Sequence, residues 1–322
     1  EQDERPLRVQ VMALAHSRYQ KYCARDIGQA LRAHGVEVDI ALLEMSKAFY
    51  VEVLQRLRAF TPDVFFLNGR DRFGLRALPD RLHIVSWDQD YALSPHSTYA
   101  EHRAPQDRLL LMVRDWREDA GYHGVPEQAV HHVNLGTNTD LYRPPTDDER
   151  EPIEHDVLFV GNVFSWEQYK QVIDWDKLAG TTQHLMDRAI ELLDEHLARE
   201  TGDEPHVMPD VPELMTEAMR HVGLKFNSDG AAWLNVCRYF QYRVAHMRLR
   251  RHYIEGLADL NLGLFGNGWD KFAGVASRWR GPLENGPDLR REIHRSAINL
   301  HLHTWTVHHP RLYDTAAAGG FL

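Results

Sequence analysis

Residues suited to chemistry concentrate in one stretch, SAINLHLHTWTVHHPRLYDTAAAGGFL (Ser296–Leu322). His309 and Pro310 lead there into Arg311, Asp314 and the pair Gly319-Gly320. Proline suits a first helical position, because its missing N–H would have no intrahelical partner. The pattern predicts a helix from Pro310 that stops at the two glycines. Ala297–His301 reads as a buried strand, Thr304–His309 as a polar loop, and Phe321-Leu322 as the first step of a further strand. Ligands of open α/β sheets bind at such loops, beyond the carboxyl ends of parallel strands, and a helix start favours phosphate. Asp314 is either a carboxylate that accepts two ribose hydroxyls or a solvated helix aspartate. Arg311 lies against the positive end of the helix dipole, which calls for an anionic ligand or a carboxylate partner.

The elements that must position these groups alternate. Strands are predicted at Leu7–Leu14, Val36–Leu42, Asp63–Leu67, His83–Trp87, Arg108–Val113 and Ala129–Leu135. Helices are predicted up to Gly35, at Lys47–Phe60 and at Asp115–Gly121. Strand–helix alternation with short connections predicts a doubly wound parallel sheet. The proline pair and charged run of residues 136–152 mark an exposed linker. Beyond it, Asp156–Val160 ends in Gly161, a residue that lets backbone approach a ligand or a neighbouring helix. Thr182–Glu200, Val211–Val222 and Ala231–Ala258 read as amphipathic helices. By the resemblance set out next, Leu260–Phe265 is expected as a strand, Ala276–Leu283 as a strand and its turn, and Asp288–Arg295 as a helix. The organisation expected is residues 7–143, a linker at 144–154, and residues 155–322, with helices added over 163–240.

Several of these segments together resemble the GT-B glycosyltransferases, nearest to the spore-maturation CgeB-like group. Arg311-Leu-Tyr-Asp314-Thr-Ala-Ala317-Ala-Gly319-Gly320 is similar to its donor-site helix, Asp156-Val-Leu-Phe-Val160-Gly161 to the opening of its donor domain, and Gly266-Asn267-Gly268-Trp269 to a turn after an apolar strand. Leu135-Gly136, Asp140, Tyr142 and Pro144 resemble its interdomain segment. The resemblance does not cover 163–240, and Thr306 stands where many relatives carry a second Glu. It implies two Rossmann-like domains facing across a cleft, the first on the acceptor side and the second binding a nucleotide-sugar donor. That second domain would continue beyond Leu322.

The same resemblance assigns roles. Asp314 would hold the ribose, with Gly161, His309 and Arg311 near the diphosphate. Positive charge on the leaving phosphates would come from protein cations rather than a bound metal, with Arg280 and the cluster Arg248, Arg250 and Arg251 as candidates; a solvated helix face is the plainer reading of the cluster. Trp269 or Trp279 would stack on base or sugar, or fill the core. His16, after the first strand, would serve as general base. Trp87 and Asp90 match a W-x-x-D of the family, and Asp88 and Asp90 would face substrate. His301 and His303 share one strand face as metal ligands might, yet no carboxylate or cysteine completes a set, so no metal and no cofactor are expected.

Composition narrows the classes. The 322 residues carry a net charge of −10, which argues against a nucleic-acid partner. Hydrophobic content of 43% and charged content of 26% are ordinary for a globular protein. Two distant cysteines, Cys23 and Cys237, read as reduced thiols of a cytoplasmic protein. No apolar run is long enough to span a bilayer. Apolar faces of the 163–240 helices predict contact with the first domain, a second subunit or the acceptor. The expected function is transfer of a sugar from a nucleotide donor to a protein, glycan, lipid or small-molecule acceptor. The alternatives are a sugar-nucleotide epimerase, a phosphorylase, for which no lysine is placed, and a non-catalytic scaffold.

Overall fold

The computed structural model describes residues 5–70, 72, 75, 78–88, 96–114, 116–172, 176, 179–199, 209–225, 231–303 and 309–322. Contacts divide the chain into two compact units: Glu1–Tyr142 with Glu284–Pro287 and His308–Tyr313, and Arg143–Leu283 with Asp288–Val307 and Asp314–Leu322.

The first unit runs β1 (Arg8–Leu14), α1 (Arg18–Ala33), β2 (Glu37–Leu43), α2 (Phe49–Phe60), β3 (Val64–Asn68), β4 (His83–Asp88), α3 (His96–His102), β5 (Arg108–Leu111), α4 (Trp116–Tyr122) and β6 (Val130–His132). Its strands form one parallel sheet in the order β2-β1-β3-β4-β5-β6. Alternation along β1 feeds both faces. Val9, Val11 and Ala13 pack with Ala24, Ile27 and Leu31 of α1. Met12 and Leu14 pack with Phe49 and Val53 of α2. The sheet is therefore covered on both sides, as its apolar strands require.

Local signals set the boundaries. Ser17 caps α1 by accepting the N–H of Gln20 at 3.3 Å, and Gly35, at φ 78°, lets the chain leave the helix. Strand β6 is shorter than the expected Ala129–Leu135, because Glu127–Ala129 forms a 3-10 turn and β6 pairs only with β5. Between β3 and β5 a buried ion pair fixes the connection. Arg72 Nε and Nη2 donate to Asp107 Oδ2 and Oδ1 at 2.7 and 2.8 Å, and the N–H groups of Ile84 and Ala104 complete the carboxylate.

In the second unit β7 (His155–Val160) is followed by α5 (Trp166–Val172), α6 (Gly180–Arg199), α7 (Val211–His221), α8 (Ala231–Tyr239) and α9 (His246–Gly256). Then come β8 (Leu262–Phe265), α10 (Pro287–His294), β9 (Ser296–Leu300) and α11 (Pro310–Ala317), of which Pro287 and Pro310–Tyr313 group with the first unit. The parallel sheet has the order β8-β7-β9. The two units thus carry the two parallel α/β sheets expected. Helices α6 to α9 have a core of their own, with Leu185, Ala189 and Leu193 against Met215, Ala218, Trp233 and Phe240.

Two expectations need correction here. The single helix read over Ala231–Ala258 is interrupted by a π-helical segment, Phe240–Ala245. Ala276–Leu283 is not a strand: Ala276–Arg278 is a 3-10 turn, and only Trp279 bridges Leu264. Residues 144–154 are mostly exposed, as a linker should be, yet they are tethered. Glu149 binds Arg143 at 2.8 Å and Arg290 of α10 at 2.7 Å, and these guanidinium groups, Arg290 first, hold its carboxyl well below the usual range. Among the described residues no helix is long and apolar enough to cross a membrane.

Arg72→Met tests the buried pair. It leaves the Asp107 carboxylate, 0% exposed, without its cation, and unfolding free energy should fall by about 3–5 kcal/mol. Denaturant unfolding measures it, and a loss below about 1 kcal/mol would contradict a structural role for the pair.

Candidate functional site

Strand order alone nominates a place in the second unit. With β7 in the middle, β8 on one side and β9 on the other, the switch point lies between β7 and β9, where connections leave in opposite directions and open a crevice at the carboxyl ends. The chain supplies Gly161-Asn162 after β7 and His301–His303 after β9.

Close backbone packing shapes this edge. A Cβ at Gly266, whose φ is 124°, would lie 2.1 Å from the Gly161 oxygen; one at Gly268, φ 92°, would lie 2.1 Å from the Val163 oxygen. Only glycine permits such an approach at positive φ. The N–H of Asn267 donates to Asn162 Oδ1 at 2.9 Å, and that of Val163 to the Asn267 oxygen at 3.0 Å. The indole N–H of Trp269 donates to the Gly161 oxygen at 2.7 Å, with the ring 0% exposed and set edge-on to Phe159 and Phe272. Trp269 therefore takes the core alternative rather than a stacking role, and Trp279 similarly donates to the Gly266 oxygen at 2.7 Å.

The three arginines of α9 diverge. Arg248 pairs with Asp194, and Arg251 pairs with Glu255 at 3.0 Å and covers Phe272. Arg250 instead spans the switch point: Nη1 donates to the Asn162 oxygen at 3.0 Å and Nε to the Leu302 oxygen at 3.3 Å. Its Cζ lies 3.6 Å from where a Gly161 Cβ would be. His303 adds to this edge, 4.7 Å from the buried His246 ring and stacked on His301 at 5.7 Å. Burial first, then Arg250 and His301, push the His303 pKa down to about 3. At neutral pH the charge there is that of Arg250, with His303 neutral.

Arg280 does not join this group. Its guanidinium reaches Glu154, just before β7 begins, at 3.4 Å; it is directed to the amino end of the sheet, opposite the ends where ligands bind. Sequence reasoning favoured Arg280 and took a solvated helix face as the plainer reading of the cluster that holds Arg250. The signal that separates them is the spacing of His246 and Arg250, one helical turn apart directly after the π segment, which re-phases the helix.

Helix α11 begins as expected, but its first donors are engaged. The Arg311 N–H donates to His309 Nδ1 at 3.2 Å and the Leu312 N–H to the His309 oxygen at 3.0 Å. His309 is thus a cap, a role sequence missed because histidine is not among the preferred capping residues. Arg311 Nη2 lies 3.4 Å from Asn285 Oδ1. Half-buried Asp314 accepts the Ala318 N–H through its backbone oxygen at 3.0 Å. The glycine pair is a packing requirement. Gly319 has φ 76°, and a Cβ at Gly320 would come within 2.6 Å of Ile293 Cγ2. His294 Nε2 donates to the Ala318 oxygen at 2.9 Å and the Asn299 N–H to the Phe321 oxygen at 2.8 Å, anchoring the end of the helix.

In the first unit His16 follows β1, exposed, with Nδ1 3.8 Å from Glu44 Oε2. Asp88 ends β4. Asp90 and Thr306 lie outside the described residues. Among the described residues no group of three or more His, Cys, Asp or Glu is disposed to hold a metal ion.

No family model matches the chain, and no curated protein sequence does. Among solved structures it is similar to Alr3699/HepE of Anabaena in complex with UDP and glucose, at 11% identity and a TM-score of 0.46, covering 98% of this chain and 79% of that one. It is also similar to the apo form of the lipopolysaccharide outer core galactosyltransferase WaaB, at 15% identity and a TM-score of 0.31, covering 74% and 72% of the two chains. Likenesses this distant say nothing of the chemistry here.

The buried His303 gives a pH test. Its folded pKa of about 3 lies below the ordinary 6.5, so between these values the unfolded state binds the extra proton. Stability from this group is complete above about pH 6.5 and declines as pH falls toward 3. Denaturant unfolding between about pH 4 and 7 should show a shallower decline for His303→Phe than for the parent. Equal slopes would contradict the assignment.

Proposed function

We propose that the chain is a GT-B glycosyltransferase of the CgeB-like type, moving a sugar from a nucleoside-diphosphate donor to an acceptor. The observation that carries this reading is Arg250, a guanidinium held by the strand-end carbonyls of Asn162 and Leu302 at the switch point of a parallel sheet. It stands beside the glycine turn of Gly161, and the donor-type helix α11, with Asp314, follows β9 in the chain. The sequence pattern of that helix and of the Gly-Asn-Gly-Trp turn supplies the family.

In this reading the bond between the anomeric carbon and the leaving phosphate oxygen breaks while the acceptor oxygen bonds to that carbon. Negative charge develops on the departing diphosphate, and Arg250 stabilises it by charge-assisted hydrogen bonding. Asp314 accepts the ribose hydroxyls. His16, at the end of β1, takes the acceptor proton as general base. Charge on the leaving group is met by protein cations, so neither a metal nor a cofactor enters the scheme. His309 holds the first N–H groups of α11, so the diphosphate rests on Arg250 rather than on the helix start.

Calorimetry with uridine, guanosine and adenosine diphosphates tests the donor side. Arg250→Met and Asp314→Asn each remove charge-assisted hydrogen bonds of about 1.5–3 kcal/mol. Affinity for the preferred nucleotide should therefore fall roughly ten- to a hundredfold, a tenfold change corresponding to about 1.4 kcal/mol. Arg280→Met should change it less than about twofold, since its guanidinium faces the other end of the sheet. Parent-like binding by Arg250→Met and Asp314→Asn would place any nucleotide elsewhere.

A non-catalytic binding protein is the second reading, favoured by the self-capped start of α11. Release of nucleoside diphosphate from a sugar nucleotide by the purified chain separates the two; a chain that binds nucleotide yet never releases it from the sugar nucleotide fits the second.

A further inference from the structure

The first unit has its own switch point, between β1 and β3, because β2 and β3 flank β1 on opposite sides. Polar groups collect there that the proposed reaction does not use. Asn68, the last residue of β3, is 1% exposed, and neither its Oδ1 nor its Nδ2 has a partner among the described residues. Trp87, its register partner on β4, has a buried indole Nε1 that is likewise unpaired.

Both side chains belong to the α1 face of the sheet. Asn68 follows Phe66 by two positions, and Phe66 packs against the same cluster, Val9, Val11, Ala13 and Ala24, as Ile27 and Leu31 of α1. The first turn of α1 adjoins the same strand ends. A Cβ at Gly69 would sit 2.9 Å from Gln20 Nε2, and Gln20 Oε1 accepts the N–H of Leu14, the last residue of β1, at 3.1 Å. Buried polar groups in folded chains are nearly always paired, and an amide unpaired at both ends, at the place where sheets of this kind bind ligands, points to a ligand.

The donor and acceptor inventory gives its class. Asn68 offers one acceptor oxygen and an NH2 donor, while Trp87 offers a donor only. A carboxylate or a phosphate diester brings no proton for Asn68 Oδ1. A hydroxyl group both donates and accepts, and so satisfies the amide and the indole together. The nearby cation Arg70 is turned to the α2 side, with Nη2 3.2 Å from Met45 Sδ and its guanidinium over the Phe49 ring.

We propose that Asn68 and Trp87, beside the first turn of α1, form a hydroxyl-binding subsite for a neutral polyhydroxy ligand, a sugar or glycoside. This deepens the acceptor side of the proposed transferase and rests on that reading for the role of acceptor. Binding itself is measured without nucleotide.

Methyl α-glycosides of glucose, galactose and mannose, each titrated into the full chain by calorimetry, provide the test. At least one binds saturably to the parent. Asn68→Leu weakens it tenfold or more while its thermal midpoint stays level or rises, because an apolar side chain of similar size replaces polar groups that lack partners. Trp87→Phe, which removes one donor, weakens it severalfold and guards against a folding defect in the first variant. The proposal is overturned if no glycoside binds the parent saturably, if Asn68→Leu binds as the parent does, or if inorganic phosphate displaces the glycoside. A lowered midpoint for Asn68→Leu, with no glycoside bound by the parent, assigns the amide to an ordered water and overturns it too. Nucleotide affinity is read in a separate titration, so failure of the donor reading and failure of this one register independently.

Discussion

Strand order is the constraint from which the rest follows. In both sheets the first strand lies between the second, which is at an edge, and the third. Parallel strands need crossovers, and crossovers that leave in opposite directions part at the carboxyl ends of the first and third strands. Each unit thereby acquires one crevice before any side chain is specified. In the second unit Gly266 and Gly268, which follow β8, bring their backbone against that of Gly161 and Val163, which follow β7. That contact, sealed by the Trp269 indole, fixes the strand ends whose carbonyl groups hold Arg250.

Charge and burial differ between the crevices. Arg250 brings a permanent cation to the second, and the neighbouring His303 stays neutral because burial disfavours its charged form. A site of this kind suits a leaving diphosphate, where charge grows during the reaction. The first crevice offers an uncharged amide and an indole N–H, with an exposed histidine at the end of β1. It suits a neutral nucleophile whose proton must be removed.

Much of the fold was legible because apolar periodicity in short strands and amphipathic helices is dictated by burial on known faces. The glycine stops at Gly35 and Gly319 and the proline start at Pro310 were legible for the same local reason. Ala276–Leu283 misled because the resemblance alone implied a strand there, whereas Ala276–Arg278 is a 3-10 turn and Trp279 contributes a single bridge. The site was less legible. Arg248, Arg250 and Arg251 are neighbours in sequence, and a helix turns them to different partners with a phase set by the π segment, which propensity does not reveal. Trp269 looked like a stacking platform because its motif follows a strand; its indole N–H instead serves a carbonyl that close glycine packing leaves in need of a donor. The capping role of His309 and the unpaired amide of Asn68 depend on tertiary neighbours and left no trace in spacing.

Amide chemical-shift mapping tests the central claim most directly. Titration of the isotope-labelled chain with uridine, guanosine and adenosine diphosphates should, for the nucleotide that binds, shift the amide signals of Gly161, Asn162 and His303 and leave those of Glu154 and Asp156, at the amino end of the sheet, in place. Shifts confined to the first unit, or absent with every nucleotide, would contradict a donor site at the switch point between β7 and β9.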